Sequence, residues 1–406
     1  MPSSDIGRCD VNDYCQGLAK QANVLALYNY FSYLKSKTHH FNYRIHMLYL
    51  RLFLLTMLVI AVSGSRLRSA EFDDLSLLEL KTKADAGEVN AQVILAKRYA
   101  DGTDTIPDLQ ESLHWYRQAA TKGSAVAYFQ LSLIYKLGIG VTAETKTSVN
   151  FLMAAANAGC AEAQAEAGTE ILGLAESQAE ADIGTAWLER AVGQGNANGQ
   201  FILGLALARG RWITSNRVRA SELIMRAAEQ NHTDAMVFLA YALMTGKGQG
   251  KDQTAAFSWL NRAAKLGSQR AHLALGEAYL KGVGTPVDQP RAFAEFTIAA
   301  NKGMREAQFR LGECYAQGWG VSVDRTEGFN WFKKAALQGE VVGQCNVALA
   351  YEYGRGVAID MVQAAHWYKL AAAAGDAKSQ NNLANMYNHY CPVKKFFLRQ
   401  RHVIFH

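Results

Sequence analysis

The chain of 406 residues carries 42 lysines and arginines against 36 aspartates and glutamates, and half of its residues are hydrophobic. Its formal charge of +6 comes from the ends: residues 1–70 hold 8 basic and 3 acidic side chains and residues 391–406 hold 4 basic and none acidic, which leaves 30 against 33 between them. That central balance removes the electrostatic case for a nucleic-acid partner.

From Met47 the chain reads MLYLRLFLLTMLVIAVSGSRLRSAEF. The uncharged run from Leu52 to Val62 is 11 residues long, short for a membrane span of about 20. With Ala61-Val62-Ser63 at its end as a cleavage signal, it suits a secretory h-region. A signal peptide begins a protein, so residues 1–46 are expected to be an upstream extension or misread start without structure, and residues 47–65 a signal peptide. The alternative is an uncleaved anchor that holds the chain to a membrane through residues 47–64. Either way the rest of the chain is expected to be secreted, in the periplasm or envelope, or membrane-anchored.

Residues 71–390 repeat with a period of 36. Gly87, Gly123, Gly159, Gly195, Asn231, Gly267, Gly303, Gly339 and Gly375 form one column, with alanine four residues before each of the last eight, from Ala119 to Ala371. Four residues after the column comes a small residue (Ala91, Ala127, Ala163, Gly199, Ala235, Ala271, Ala307, Gly343, Ser379), then commonly leucine (Leu95, Leu131, Leu203, Leu239, Leu275, Leu311), then commonly tyrosine (Tyr99, Tyr135, Tyr279, Tyr315, Tyr351). This spacing of i, i+4, i+8 predicts one face of a first helix in each repeat.

A second helix carries Trp115, Phe151, Trp187, Leu223, Trp259, Glu295, Trp331 and Trp367 in one register. Five of the seven tryptophans share it, so they are expected in the core rather than in a ligand box. Asp108, Asp252, Asp288, Asp324 and Asp360 stand where an N-cap is needed. Asp108 with Glu111, and Asp324 with Glu327, have the spacing of capping boxes. Between the helices lie turns such as Thr245–Asp252, TGKGQGKD. Its Gly-Lys ending suggests a phosphate loop, but Thr245 replaces the first glycine and Asp252 the metal-binding hydroxyl. The recurrence of the segment every 36 residues makes Gly246 and Gly248 parts of an inter-helix turn instead. The repeat around Leu172–Ala181 lacks both turn glycines, and Trp212 replaces the second glycine of the next one.

The pattern small-x3-Q-x2-LG-x2-Y-x2-G-x-GV, D, A-x2-WY-x-KAA-x2-G, best matched at Gly303–Asp324 and Trp367–Gly375, resembles the Sel-1-like repeat, a relative of the tetratricopeptide repeat. The resemblance implies an all-α, right-handed superhelical solenoid of antiparallel two-helix repeats, with protein binding as its function. It also raises a hydrolase reading, because some cysteine-rich members were described as β-lactamases, and a membrane-anchored scaffold for protein quality control. Cys160, Cys314 and Cys345 occupy different registers, unlike the paired cysteines of those members. The one S-x-x-K, Ser32–Lys35, lies outside the repeats without its companion motifs. No catalytic residue, cofactor or metal site is expected: His402 with His406, and His39 with His40, lack further ligands. Asn231-His232-Thr233 is a lone glycosylation sequon. Residues 391–406 form a basic, nonrepeating tail.

Binding is expected on the concave face of a monomer, by a protein or peptide. The positions 7, 10 and 14 after the glycine column vary from repeat to repeat, as a core column would not. There Ile202, Leu205, Phe238 and Tyr241 fall on adjacent repeats and form a candidate apolar patch, flanked by Arg209, Lys281 and Arg310. Replacing Arg310 by alanine is expected to cost under about 0.5 kcal/mol of stability.

Overall fold

Capping residues and left-handed stops divide residues 77–390 into helices of nearly uniform length. A computed structural model describes residues 72, 75–246 and 250–390. The expectations for residues 1–46, 47–65 and 391–406, including Ser32–Lys35, His39, His40, His402 and His406, lie outside the described residues, as does Gly248. Among the described residues there are eighteen helices and no strand. A first compact unit, ending at Asn216, holds α1 (Leu77–Asp85), α2 (Val89–Asp101), α3 (Leu109–Thr121), α4 (Ala125–Leu137), α5 (Thr145–Asn157), α6 (Ala161–Leu174), α7 (Gln178–Gly193) and α8 (Ala197–Arg209). A second, starting at Arg217, holds α9 (Arg217–Glu229), α10 (Thr233–Thr245), α11 (Gln253–Lys265), α12 (Gln269–Lys281), α13 (Gln289–Asn301), α14 (Arg305–Gln317), α15 (Arg325–Leu337), α16 (Val341–Tyr353), α17 (Met361–Ala373) and α18 (Ala377–Tyr390). Even-numbered helices are the first helices of the repeats. Each unit is all-α, built of helical hairpins with the 36-residue period of a solenoid.

Asp108, Asp252, Asp288, Asp324 and Asp360 cap their helices as expected, each carboxylate accepting from backbone N–H groups of the first turn. The two capping boxes form only half. The backbone N–H of Asp108 donates to the Tyr99 carbonyl at 2.8 Å, and that of Asp324 to the Tyr315 carbonyl at 2.9 Å. With that donor already used, Glu111 accepts from Trp115 Nε1 and Glu327 from Asn330 instead. The same tie joins Asp252 to Leu243, Asp288 to Tyr279 and Asp360 to Tyr351, so the tyrosine column closes the turn through its carbonyls. Complete boxes occur at Ser76 with Glu79 and Ser177 with Glu180, where no such tie exists among the described bonds.

The alanine column is fully enclosed, all eight side chains from Ala119 to Ala371 having no exposed surface. The small column opposite is buried at every position, which lets the helix backbones approach closely. Leu95, Leu131, Leu203, Leu239, Leu275 and Leu311 fill the space between; each contributes about 1.5–3 kcal/mol by its burial. The tryptophan column needs correcting. Trp115, Trp187 and Trp367 are buried, but Trp259 and Trp331 are only half-buried. The residue after each is the more deeply enclosed: Tyr116, Leu188, Leu260, Phe332 and Tyr368, with Phe296 following Glu295.

Polar side chains lock successive hairpins. Gln92, Gln164, Gln308, Gln344 and Gln380 each donate to the carbonyl eight residues earlier, near the end of the preceding second helix, at 3.0–3.3 Å. His272 holds the glutamine position in its repeat and Glu295 the tryptophan position, and the two pair at 2.6 Å from Nδ1 to Oε2. Asn231, in the glycine column, takes the left-handed φ of 68°. Its side-chain oxygen accepts from Arg262 Nη2 at 2.7 Å.

Candidate interaction groove

First helices leave three positions per repeat outside the alanine and leucine contacts, and these supply the surface chemistry. Their exposure is graded. The seventh position after the glycine column is buried or half-buried in every repeat and the tenth in all but the last, where Asn385 is exposed, whereas the fourteenth is exposed in most repeats. The face thus offers a rim of freely accessible side chains above a partly packed floor.

The second unit has a groove of about 320 Å³ on this face, lined by Glu277, Leu280, Lys281, Gln289, Arg310 and Trp319. The end of α12 supplies Glu277, Leu280 and Lys281, the start of α13 supplies Gln289, and α14 supplies Arg310. Trp319 comes from the turn after α14. The period of 36 places the seventh position of one repeat beside the tenth of the preceding one. Accordingly Arg310 Nη2 lies 2.9 Å from Glu277 Oε1, and Nη1 lies 2.9 Å from Glu313 Oε2. The guanidinium also lies over the Phe309 ring, 5.9 Å from its centroid. Burial opposes the charge of Arg310, but the two carboxylates outweigh it and hold the guanidinium above its ordinary pKa. Lys281 Nζ is 3.9 Å from Glu277 Oε2, and most of its side chain is exposed.

Two of the seven residues expected to bind a partner, Lys281 and Arg310, therefore meet in one groove. The other five do not line it. Ile202 is half-buried, Leu205 buried and Arg209 exposed on α8 of the first unit. Phe238 and Tyr241 are half-buried on α10 of the second. Leu205 does not present the accessible surface of an anchor, because the tenth position faces the packed floor. Glu277, Leu280, Gln289 and Trp319 were not among the expected binding residues. Trp319 had a legible signal: it is one of two tryptophans, with Trp212, outside the shared register.

In the first unit a comparable cluster joins Lys136 to Glu166 at 2.6 Å and to Glu170 at 2.7 Å. Burial works against the Lys136 charge, and the two glutamates raise its pKa in spite of it. Among the described residues no group of three or more histidines, cysteines, aspartates or glutamates is placed to hold a metal. Cys160, Cys314 and Cys345 are buried thiols. Burial pushes Cys160 and Cys314 up to about 12, so neither is a thiolate near neutral pH. No described helix is long and apolar enough to cross a membrane.

The family model for the Sel1 repeat matches residues 89–124, 125–160, 197–232, 233–268, 269–304, 305–340 and 341–376. The span it omits between matches, 161–196, holds the repeat without turn glycines. Among solved structures, the chain is similar to c5321, a protective antigen of uropathogenic Escherichia coli strains displaying an SLR fold. That likeness has 32% identity and a TM-score of 0.58, over 78% of this chain and 68% of the other. A Sel1 repeat protein from Oxalobacter formigenes shares the fold at 24% identity and a TM-score of 0.54, over 81% and 93% of the two chains. Curated relatives match over shorter stretches. An uncharacterised protein of Neisseria meningitidis serogroup B is 29% identical over 136 residues, and the yeast chitin synthase regulator SKT5, from Saccharomyces cerevisiae, 38% over 96. These stretches cover 34% and 23% of this chain, and 28% and 14% of the relatives' own lengths.

Proposed function

The chain belongs to the Sel1 repeat family, and from that membership we propose that it is a non-catalytic adaptor binding a protein or peptide partner through the first helices of its repeats. Proteins of this family generally serve as protein-interaction adaptors. The observation that carries the reading for this chain is the groove at Lys281, Arg310 and Trp319, where side chains free of core packing converge on one concavity. Such concavities with a few placed polar groups are the usual seats of ligands. The test compares the wild-type chain with a Lys281→Glu, Trp319→Ala double variant as baits. Loss of specific partners from the variant, with its helical content unchanged, supports the reading. Identical capture by both proteins refutes it.

The proposed compartment is secretory or envelope. The support for it is the Met47–Ser65 pattern in the sequence. N-terminal sequencing is expected to find mature protein beginning between Ser63 and Ser69, outside the cytosol. Recovery of an intact cytosolic chain starting at Met1 would refute it.

A further inference from the structure

We infer that the groove at Arg310 and Trp319 is a receptor for one aromatic side chain of the partner polypeptide. This deepens the adaptor reading and rests on it. Charge is the first ground. Glu277 and Glu313 balance Arg310 and Lys281, so the cluster carries no net formal charge to select a charged residue. Both acids are committed to the guanidinium at 2.9 Å, which leaves neither free to recognise an incoming cation.

Geometry is the second ground. An arginine ordinarily loses much rotamer freedom on forming a contact. Here Glu277 from α12, Glu313 from the same helix as Arg310, and the Phe309 ring already hold the guanidinium in place. A planar, charge-compensated guanidinium is weakly hydrated and stacks readily on aromatic rings. Trp319 and Leu280 add apolar wall on the same groove.

Size is the third ground. The volume of about 320 Å³ stands at the small end of the range for ligand pockets, roughly 300–1,000 Å³. It suits a single large side chain rather than a folded element. Lys281 and the exposed Gln289 amide then remain as donors for carbonyl groups of the partner backbone.

A library of random peptides displayed on phage and selected on the full chain tests this. The expected winners share Phe, Tyr or Trp at one position, and alanine there weakens binding about tenfold or more. Trp319→Ala and Arg310→Lys should weaken the same peptides comparably, with Trp319→Phe restoring much of the affinity. Binding should change little between about 50 and 500 mM salt. Winners that respond to Trp319→Ala but share an acidic or basic residue instead, with affinity collapsing in salt, would overturn the aromatic receptor and leave the adaptor reading standing. If no selected peptide responds to Trp319→Ala or to Lys281→Glu, the groove is not the binding site and both fall.

Discussion

Gly320 and Gly303 both adopt left-handed backbone, with φ of 72° and 89°, but their surroundings differ. A Cβ at Gly303 would meet nothing within 4 Å. A Cβ at Gly320 would overlap the carbonyl of Gln289 and press on Pro290 Cα, both backbone atoms at the start of α13 in the preceding repeat. Alanine at either site is strained by roughly 1–2 kcal/mol for its left-handed conformation. At Gly320 the overlap adds about 1–3 kcal/mol, since a backbone carbonyl cannot swing aside as a side chain could. Gly303→Ala is thus expected to cost about 1–2 kcal/mol and Gly320→Ala about 2–5 kcal/mol. Because stability in repeat arrays is shared between repeats and their junctions, hydrogen exchange is the better assay. Peptides covering α13 and the turn after α14 should exchange faster in Gly320→Ala than in Gly303→Ala. Equal protection in the two variants would mean that the turn does not bear on the preceding repeat, and that glycine is needed there for conformation alone.

Ala299→Leu should overpack the closed alanine column and cost roughly 1–3 kcal/mol, against under about 0.5 for Ala294→Leu on the exposed side of the same helix; equal melting of the two would mean the column is not the packing seam. Arg310→Ala should cost about 1 kcal/mol, discounted for the part of its side chain that water reaches, rather than the smaller loss its sequence position suggests; a double-mutant cycle with Glu277→Ala measures the coupling, and a value near zero would refute the brace. His232 caps α10 through Nδ1, which accepts from the Ala235 N–H at 3.2 Å. Burial lowers its pKa below the ordinary 6.5, against an upward pull from Asp234. The neutral ring is therefore the stabilising form: its contribution is complete above about pH 6.5 and is lost as pH falls through the lowered folded value. His232→Asn, which caps without titrating as Asn196 does, should remove that part of the acid sensitivity in urea titrations; unchanged pH dependence would count against the cap.

The repeat architecture was written into the sequence because identical packing demands recur every 36 residues. Wherever a helix must approach another closely only a small side chain fits, so Ala119 to Ala371 stayed alanine through eight repeats and could be read without coordinates. The N-cap aspartates were legible for a similarly local reason, since a cap depends on the backbone a few residues away. The halves of the capping boxes were not legible, because the donor they needed had gone to the Tyr99 and Tyr315 carbonyls across the turn. Nor was the groove. Variation along a column marks release from the core but does not say whether a side chain reaches water, and the packing between helices decided that Leu205 is covered while Lys281 is open. Arg310 read as a free surface cation because Glu277, 33 residues earlier, becomes its partner only when one hairpin stacks on the next.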